Sequence, residues 1–497
     1  MKRYSVYIVS LLISSLLLTA CSQDKWPEVE NTTKTSSLSL VVSQIGEIPH
    51  KNNEIEKAIE AYTNVDLQIQ WIPFSAYDEK VKVMIASGEL PKLIKLSYTP
   101  TIIATLKAGQ FWEIGPYLKD YKNLSAQNKQ FYDNIAVGGK IYGVPLYRPL
   151  GRAVIHYRKD WFDILGLKLP KTLDDWYAVM KALTLGDPDK NGKNDTYGII
   201  LEKRYNQDVS STLTRFSVSQ GGPNKWKVEK GRFTPEFMTE PFYETMKLFK
   251  RLYQEKLMNQ DFAVVDAMET SRLYDLGRAG TQVVGGNAQS WQDKLVKTVP
   301  SAVVEVAPLE GPGGIRLPGE PGNVGFLAIP KDAVKTEAEM RKILAFLDKL
   351  LEPAMQTVLS KGIENRHWID KGEYTEVLDR ELDLKEVKTY RDSFPYIDSN
   401  PALKPIRQPD LYRKNQQIIK ENELYIVPNP ALTLESETYA ERGKELEVLI
   451  TDAQTKFIMG KIDEVGWKSE INKWREAGGD KMIREYEEAY TKKDKDK

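Results

Sequence analysis

The chain has 497 residues, with 70 basic side chains against 70 acidic ones. That length gives a prior of about three domains or two lobes of one body, and the even charge excludes a field that would favour nucleic acid or an anionic membrane face. A single cysteine leaves no disulfide, zinc ribbon or catalytic thiol, and three scattered histidines, His50, His156 and His367, leave no His-rich transition-metal site.

At the N-terminus, Lys2 and Arg3 precede an apolar run from Tyr4 to Leu18, which leads into Leu18-Thr19-Ala20-Cys21. This is the layout of an export signal over residues 1–20 with a small-residue cleavage site. The run is shorter than the roughly 20 residues a membrane helix needs. Leu-Thr-Ala-Cys resembles a bacterial lipobox, so Cys21 is the expected lipidation site, carrying acyl chains such as palmitate. More than one chain is needed for lasting attachment. Residues 21–36 are polar and without hydrophobic period, and read as a lipid-anchored linker. The remainder of the chain is expected on the extracytoplasmic face of the cell membrane, since no later apolar stretch is long enough to span it.

From Leu38 the pattern changes. "LSLVVS" reads as a buried strand, and Asn53 opens a helix with Glu56 at capping-box spacing and Ile55, Ala58, Ile59 and Tyr62 on one face. Val65, Leu67, Ile69 and Trp71 alternate with polar residues as a second strand; a helix over 78–86 stops at Ser87-Gly88, and "KLIKL" gives a third strand. Such alternation argues for a parallel α/β sheet. Ligands sit beyond the carboxyl ends of strands in these sheets, which nominates Ser43, Gln44, Ser97 and Tyr98. A second α/β region opens with the strand "AVIHY" from Ala153, a short helix over 158–165, and a longer helix capped by Thr172 and Asp175 with Leu173, Trp176, Met180 and Leu183 inward. "TYGIIL", "TQVVGG", "AVVEVAPL" and "VGFLAIP" read as further strands. The Gly/Pro-rich stretch 310–323 reads as a loop or a crossing between lobes. Helical patterns dominate from Glu337 onward, and "TKKDKDK" over 491–497 reads as a disordered tail.

"DPDKNGKNDTYG" stands apart. Counting Asp187 as position one, Asp189, Asn191 and Asp195 fall at three, five and nine, Gly192 permits a sharp turn at six, and the Lys193 carbonyl is available at seven. An EF-hand loop begins this way, and hard oxygen ligands select Ca2+. Gly198 stands where the EF-hand glutamate belongs, so this is no EF-hand; the Thr196 hydroxyl, water or a distant carboxylate must complete the shell. The competing reading is a polar turn whose Asp and Asn bond their own backbone. Lying between a helix and a strand, the loop is expected to play a structural part.

"MIASGELPKLI", "GGKIYGVPLY", "YRKDWFDILGLKLPKTLDDWYAVMKAL", "LGRAGTQVVGG", "KFIMGKID" and "INKWREAGGDKMIREYEEAY" together resemble the extracellular solute-binding proteins of ATP-binding-cassette importers, in particular the long lipoprotein members that feed oligosaccharide uptake. Glu89 replaces the aspartate usual in the first of these motifs. The resemblance implies a bilobal periplasmic-binding-protein-like α/β fold joined by hinge crossovers, a ligand held between the lobes, ABC permease subunits as partners, and a similar calcium loop. The expected N-terminal lobe covers 37–150 and 322–365, and the C-terminal lobe 151–321 and 366–490. A sugar site needs aromatic platforms beside amides, carboxylates or guanidinium groups. Position therefore nominates Tyr147, Arg148, Trp226, Trp291, Asn365, Arg366 and Trp368, while helical spacing assigns Trp176 to the core. The expected protein is a monomeric, non-catalytic carrier with no nucleic-acid partner. A calcium-dependent surface glycoside hydrolase or lyase and a peptide-binding or sensor lipoprotein are the alternatives, although neither a phosphate loop nor a nucleophile elbow occurs.

Overall fold

A computed structural model describes residues 36–44, 47–207, 212–397, 400 and 402–495. The signal segment, Cys21 and the linker up to residue 35 lie outside the described residues.

The first lobe follows the hydrophobic pattern. β1 (Ser36–Gln44), α1 (Glu54–Thr63), β2 (Val65–Pro73), α2 (Phe74–Ser87), β3 (Leu93–Leu96) and α3 (Pro100–Lys107) succeed one another, and β1 pairs in parallel with both β2 and β3. Asn53 caps α1 by accepting from the N–H groups of Ile55 and Glu56, and Gly88 ends α2 in the left-handed conformation. Side chains of β1 alternate between two cores, as the two-residue period of a strand requires. Leu38, Leu40 and Val42 pack with Ile55 and Ile59, whereas Val41 packs with Tyr77 and Val81.

After β4 (Gly143–Tyr147) the chain leaves, and it returns as the strand Asn323–Ala328, which inserts antiparallel between β3 and β4. The second lobe is built on β5 (Ala153–Arg158), antiparallel to both Thr281–Gly285 and Val304–Pro308. Helices supply most of its mass. Leu173–Leu185, closed by the predicted Thr172/Asp175 capping box, packs with Glu240–Gln254, Glu437–Ile458 and Glu464–Trp474 around Trp176, Met180, Phe216, Phe249, Phe457 and Trp474.

Three expectations are corrected. "TYGIIL" makes only the isolated bridges Tyr197 to Ala279 and Ile199 to Met258. Its backbone finds side-chain partners in place of a neighbouring strand, Ile200 N–H donating to the Tyr274 hydroxyl at 3.0 Å and Leu201 N–H to Asn259 Oδ1 at 2.9 Å. The chain does not pass to the second lobe at residue 366, because Val387, Tyr390 and Phe394 are buried in the first core. The tail is helical as far as Lys495, in the helix Asp480–Lys495, with Lys493 Nζ donating to Thr433 Oγ1 at 2.9 Å; residues 496–497 lie outside the described part. The Gly/Pro-rich stretch does bridge the lobes, and within it Leu317–Pro318 pairs in parallel with Ile426–Val427.

Candidate ligand cleft

Where β3 ends, Ser97 and Tyr98 face a cleft of about 1040 Å3 that both lobes line. The first lobe adds Lys107 from α3, Asn134 and Asn323; the second adds Gln207, Lys225, Trp226, Glu236, Phe237, Glu435 and Tyr439. The Tyr98 hydroxyl donates to the Ala136 carbonyl at 2.8 Å, and burial raises its pKa.

One wall is aromatic. Trp226 lies edge-on to Tyr486, ring centres 5.1 Å apart, and Phe237 meets Trp474 at 5.0 Å. Beside it the buried Glu236 carboxylate accepts from Thr214 Oγ1 at 2.9 Å and from the Lys225 backbone at 3.2 Å, with Lys225 Nζ also 3.2 Å away. Rigidly held acceptors next to flat apolar faces suit a ligand that is apolar on its faces and polar at its rim. Lys107 of the first lobe pairs with Glu435 of the second across the cleft. A side chamber of about 580 Å3 extends into the second lobe, sharing Gln207 and lined by His156, Arg215 and Trp291.

Of the residues nominated from sequence, Ser97, Tyr98 and Trp226 thus meet in the cleft. Trp291 reaches only the side chamber; it is 5 % exposed and donates to the Tyr274 carbonyl at 3.1 Å. Gln44 is buried at the end of β1, and neighbouring Ser43 accepts from Lys95 Nζ at 2.8 Å. Tyr147 packs on Phe131 and shares a 3.2 Å hydrogen bond with Tyr132, while Arg148 stands at the start of a crossing segment, its N–H bonded to Gly322. Asn365, Arg366 and Trp368 form a tight turn within the first lobe. There Arg366 donates two hydrogen bonds to Glu386, and Trp368 Nε1 donates to the Gly362 carbonyl at 3.0 Å.

Sequence reading missed Lys107, Gln207, Glu236, Phe237 and the 429–440 segment. The run Pro428-Asn429-Pro430, which breaks an otherwise helical stretch, is the one local sign that a loop of consequence stands there.

In the cation loop, Gly192 takes φ +77°, which a side chain would strain. Asp187 accepts from the N–H groups of Asn191 and Gly192, both at 3.0 Å, and Asn191 Nδ2 donates to Asp189 at 2.9 Å and Asp195 at 3.0 Å. Burial and the neighbouring Asp187 and Asp195 raise the Asp189 pKa, whereas Asn191 and Arg278 lower that of Asp195. Lys193 N–H donates to Asn191 Oδ1, and the Thr196 hydroxyl is directed to the Leu183 carbonyl at 2.8 Å. Among the described residues no group of three or more His, Cys, Asp or Glu side chains has a metal-holding arrangement.

The family model for bacterial extracellular solute-binding proteins matches residues 50–357. The chain belongs to this family. Among its relatives, lipoprotein LipO of Bacillus subtilis (strain 168) is 33% identical over 496 residues, covering 97% of each chain. The polygalacturonan/rhamnogalacturonan-binding protein YtcQ of the same strain is 36% identical over 455 residues, covering 89% of each. In three dimensions the chain resembles an EF-hand mutant of the Streptococcus pneumoniae substrate-binding protein FusA in complex with fructo-nystose, with a TM-score of 0.68 at 18% identity over 93% of this chain and 100% of that one. As a solute-binding protein, the chain is a bilobal carrier whose family consists of binding proteins, not enzymes. No helix among the described residues is long and apolar enough to cross a membrane.

Proposed function

We propose that the mature chain, anchored through acylated Cys21, captures an oligosaccharide in the interlobe cleft and delivers it to the permease of an ATP-binding-cassette importer. One observation carries this reading: the aromatic wall of Trp226, Tyr486, Phe237 and Trp474 lies in the same cleft as polar side chains from both lobes. Sugar rings stack on aromatic faces while their hydroxyls take hydrogen bonds from the rim. The sugars named for YtcQ and FusA support it. A ligand touching both lobes favours the closed arrangement, and release reverses it, so no bond is made or broken.

The Asp187 loop is assigned a structural Ca2+, held by Asp187, Asp189, Asn191, the Lys193 carbonyl and Asp195. Its support is the spacing of these oxygen donors, with Asp189 and Asp195 both accepting from the Asn191 side-chain amide and Asp187 accepting from the backbone of Asn191 and Gly192. The EF-hand named for FusA supports the assignment. Thr196 would have to leave its bond to Leu183 to join the shell.

Purified protein melted against a panel of plant and bacterial oligosaccharides tests the function. At least one sugar should raise the melting temperature, as a ligand of the folded state must. Absence of any shift, or steady release of cleaved product, would overturn the carrier reading.

A further inference from the structure

The hairpin that carries Trp226 onto the cleft wall pairs Trp226–Glu229 with Arg232–Pro235. Its closed end is set by Lys230 and Gly231, whose φ values of +50° and +78° suit a tight hairpin turn. Its open end is held differently. Lys225, immediately before the ring, takes φ +62°, in the left-handed region that a lysine enters only at a cost. A residue of this kind stays there where its surroundings over-determine it, and such residues gather at ligand clamps.

One residue supplies that constraint. Glu236, immediately after the hairpin, donates its N–H to the Lys225 carbonyl at 2.7 Å and accepts the Lys225 N–H on Oε2 at 3.2 Å, so both backbone groups of the strained residue end on it. Its Oε1 accepts from Thr214 Oγ1 at 2.9 Å and faces Lys225 Nζ at 3.2 Å, while the same ammonium donates to Thr214 Oγ1 at 3.0 Å. On the other side of Lys225, Asn224 Nδ2 donates to the Gly319 and Val427 carbonyls, both at 2.9 Å. Glu236 is 5 % exposed and engages both carboxylate oxygens inside the wall. Trp226 is half-buried and lines the cleft.

Resting on the carrier reading, we infer that Glu236 is a positioning residue: acting through the left-handed turn at Lys225, it fixes the Trp226 ring in the orientation on which a sugar stacks, and does not itself touch the sugar. Fixing the ring before the sugar arrives removes an ordering cost from binding. Without the carboxylate the Lys225 turn relaxes toward extended backbone, the competent orientation becomes a minority, and the apparent affinity falls by the fraction lost. Glycine at 225 reverses this, because it adopts positive φ about as readily as negative.

Fluorine NMR of the mature protein labelled with 5-fluorotryptophan tests the holding, the Trp226 signal being assigned by its loss in Trp226→Phe. Glu236→Gln, which keeps the shape and removes the charge, should shift or broaden that signal and leave the remaining tryptophan signals in place. Adding Lys225→Gly to Glu236→Gln should restore it. Lys225→Met, at a partly exposed position, should move the signal in the same sense and keeps the test valid if Glu236→Gln does not fold. The oligosaccharide melting panel, run on the same variants, reads the consequence. In Glu236→Gln each stabilising sugar should be needed at roughly five- to thirtyfold higher concentration for the same shift, the range by which left-handed backbone is disfavoured at a residue other than glycine, and Lys225→Gly should recover most of that loss. A Trp226 signal unmoved by Glu236→Gln and Lys225→Met, movement of all tryptophan signals together, or failure of Lys225→Gly to restore signal and affinity overturns the inference and leaves the carrier reading standing. A panel with no stabilising sugar for the wild type overturns the carrier reading and the platform role with it, whatever the fluorine signals do.

Discussion

His156 offers a sharp test of how the second lobe is held. Its ring is 2 % exposed on β5, beside Asn415 and the Gly286 carbonyl, and burial outweighs both neighbours to bring its pKa to about 4. As pH falls through about 6.5, the unfolded chain takes up a proton that the folded chain refuses until about pH 4. The stability His156 contributes is thus fully present above the unfolded value and is lost between pH 6.5 and 4. At about 1.36 kcal/mol per pH unit, the interval from 6.5 to 4 amounts to about 3 kcal/mol at its acid end. Urea unfolding of wild type and of His156→Gln at pH 7.5 and pH 4.5 isolates it, since carboxylates titrate alike in both. The wild type should lose about 2 kcal/mol more than the variant over that interval. Equal losses would refute the argument that His156 is a neutral, buried imidazole in the folded second lobe.

The Lys107 and Glu435 side chains are 51% and 30% exposed, so Glu435→Ala should weaken sugar binding by about fivefold at most, in keeping with an exposed ion pair of up to ~1 kcal/mol; a loss beyond about tenfold in calorimetry would make Glu435 a ligand contact instead. Calcium at about 100 times its dissociation constant should stabilise the wild type by roughly 2.7 kcal/mol and leave Asp187→Ala unmoved; a melting temperature indifferent to chelator in the wild type removes the metal assignment. Cys21→Ala should shift the protein from the detergent to the aqueous phase in a partition assay. Continued partition into detergent would show that the anchor lies elsewhere.

Signals that act over a few residues were readable from the sequence. The Thr172/Asp175 box, the Asn53 cap, the alternation in β2 and the strand-helix-strand order each follow from backbone hydrogen bonding and side-chain periodicity within one segment, and the parallel pairing of β1 with β2 and β3 follows from them. The single cysteine, the balanced charge and the spacing of the Asp187 loop belong to the same class. Tertiary structure alone decided which aromatic rings meet a ligand. Trp226 and Trp291 look alike in sequence, each a tryptophan soon after a glycine pair, yet one stands on the cleft wall and the other closes a core against Tyr274. Burial of an indole is favourable in either place, so nothing local distinguishes them. The same holds for Arg215 and Glu320, which come from a helix and a Gly/Pro-rich crossing distant in sequence. Their meeting around Gly285 depends on the lobe closing upon itself, because the cost and use of a buried charge are set by what packs beside it.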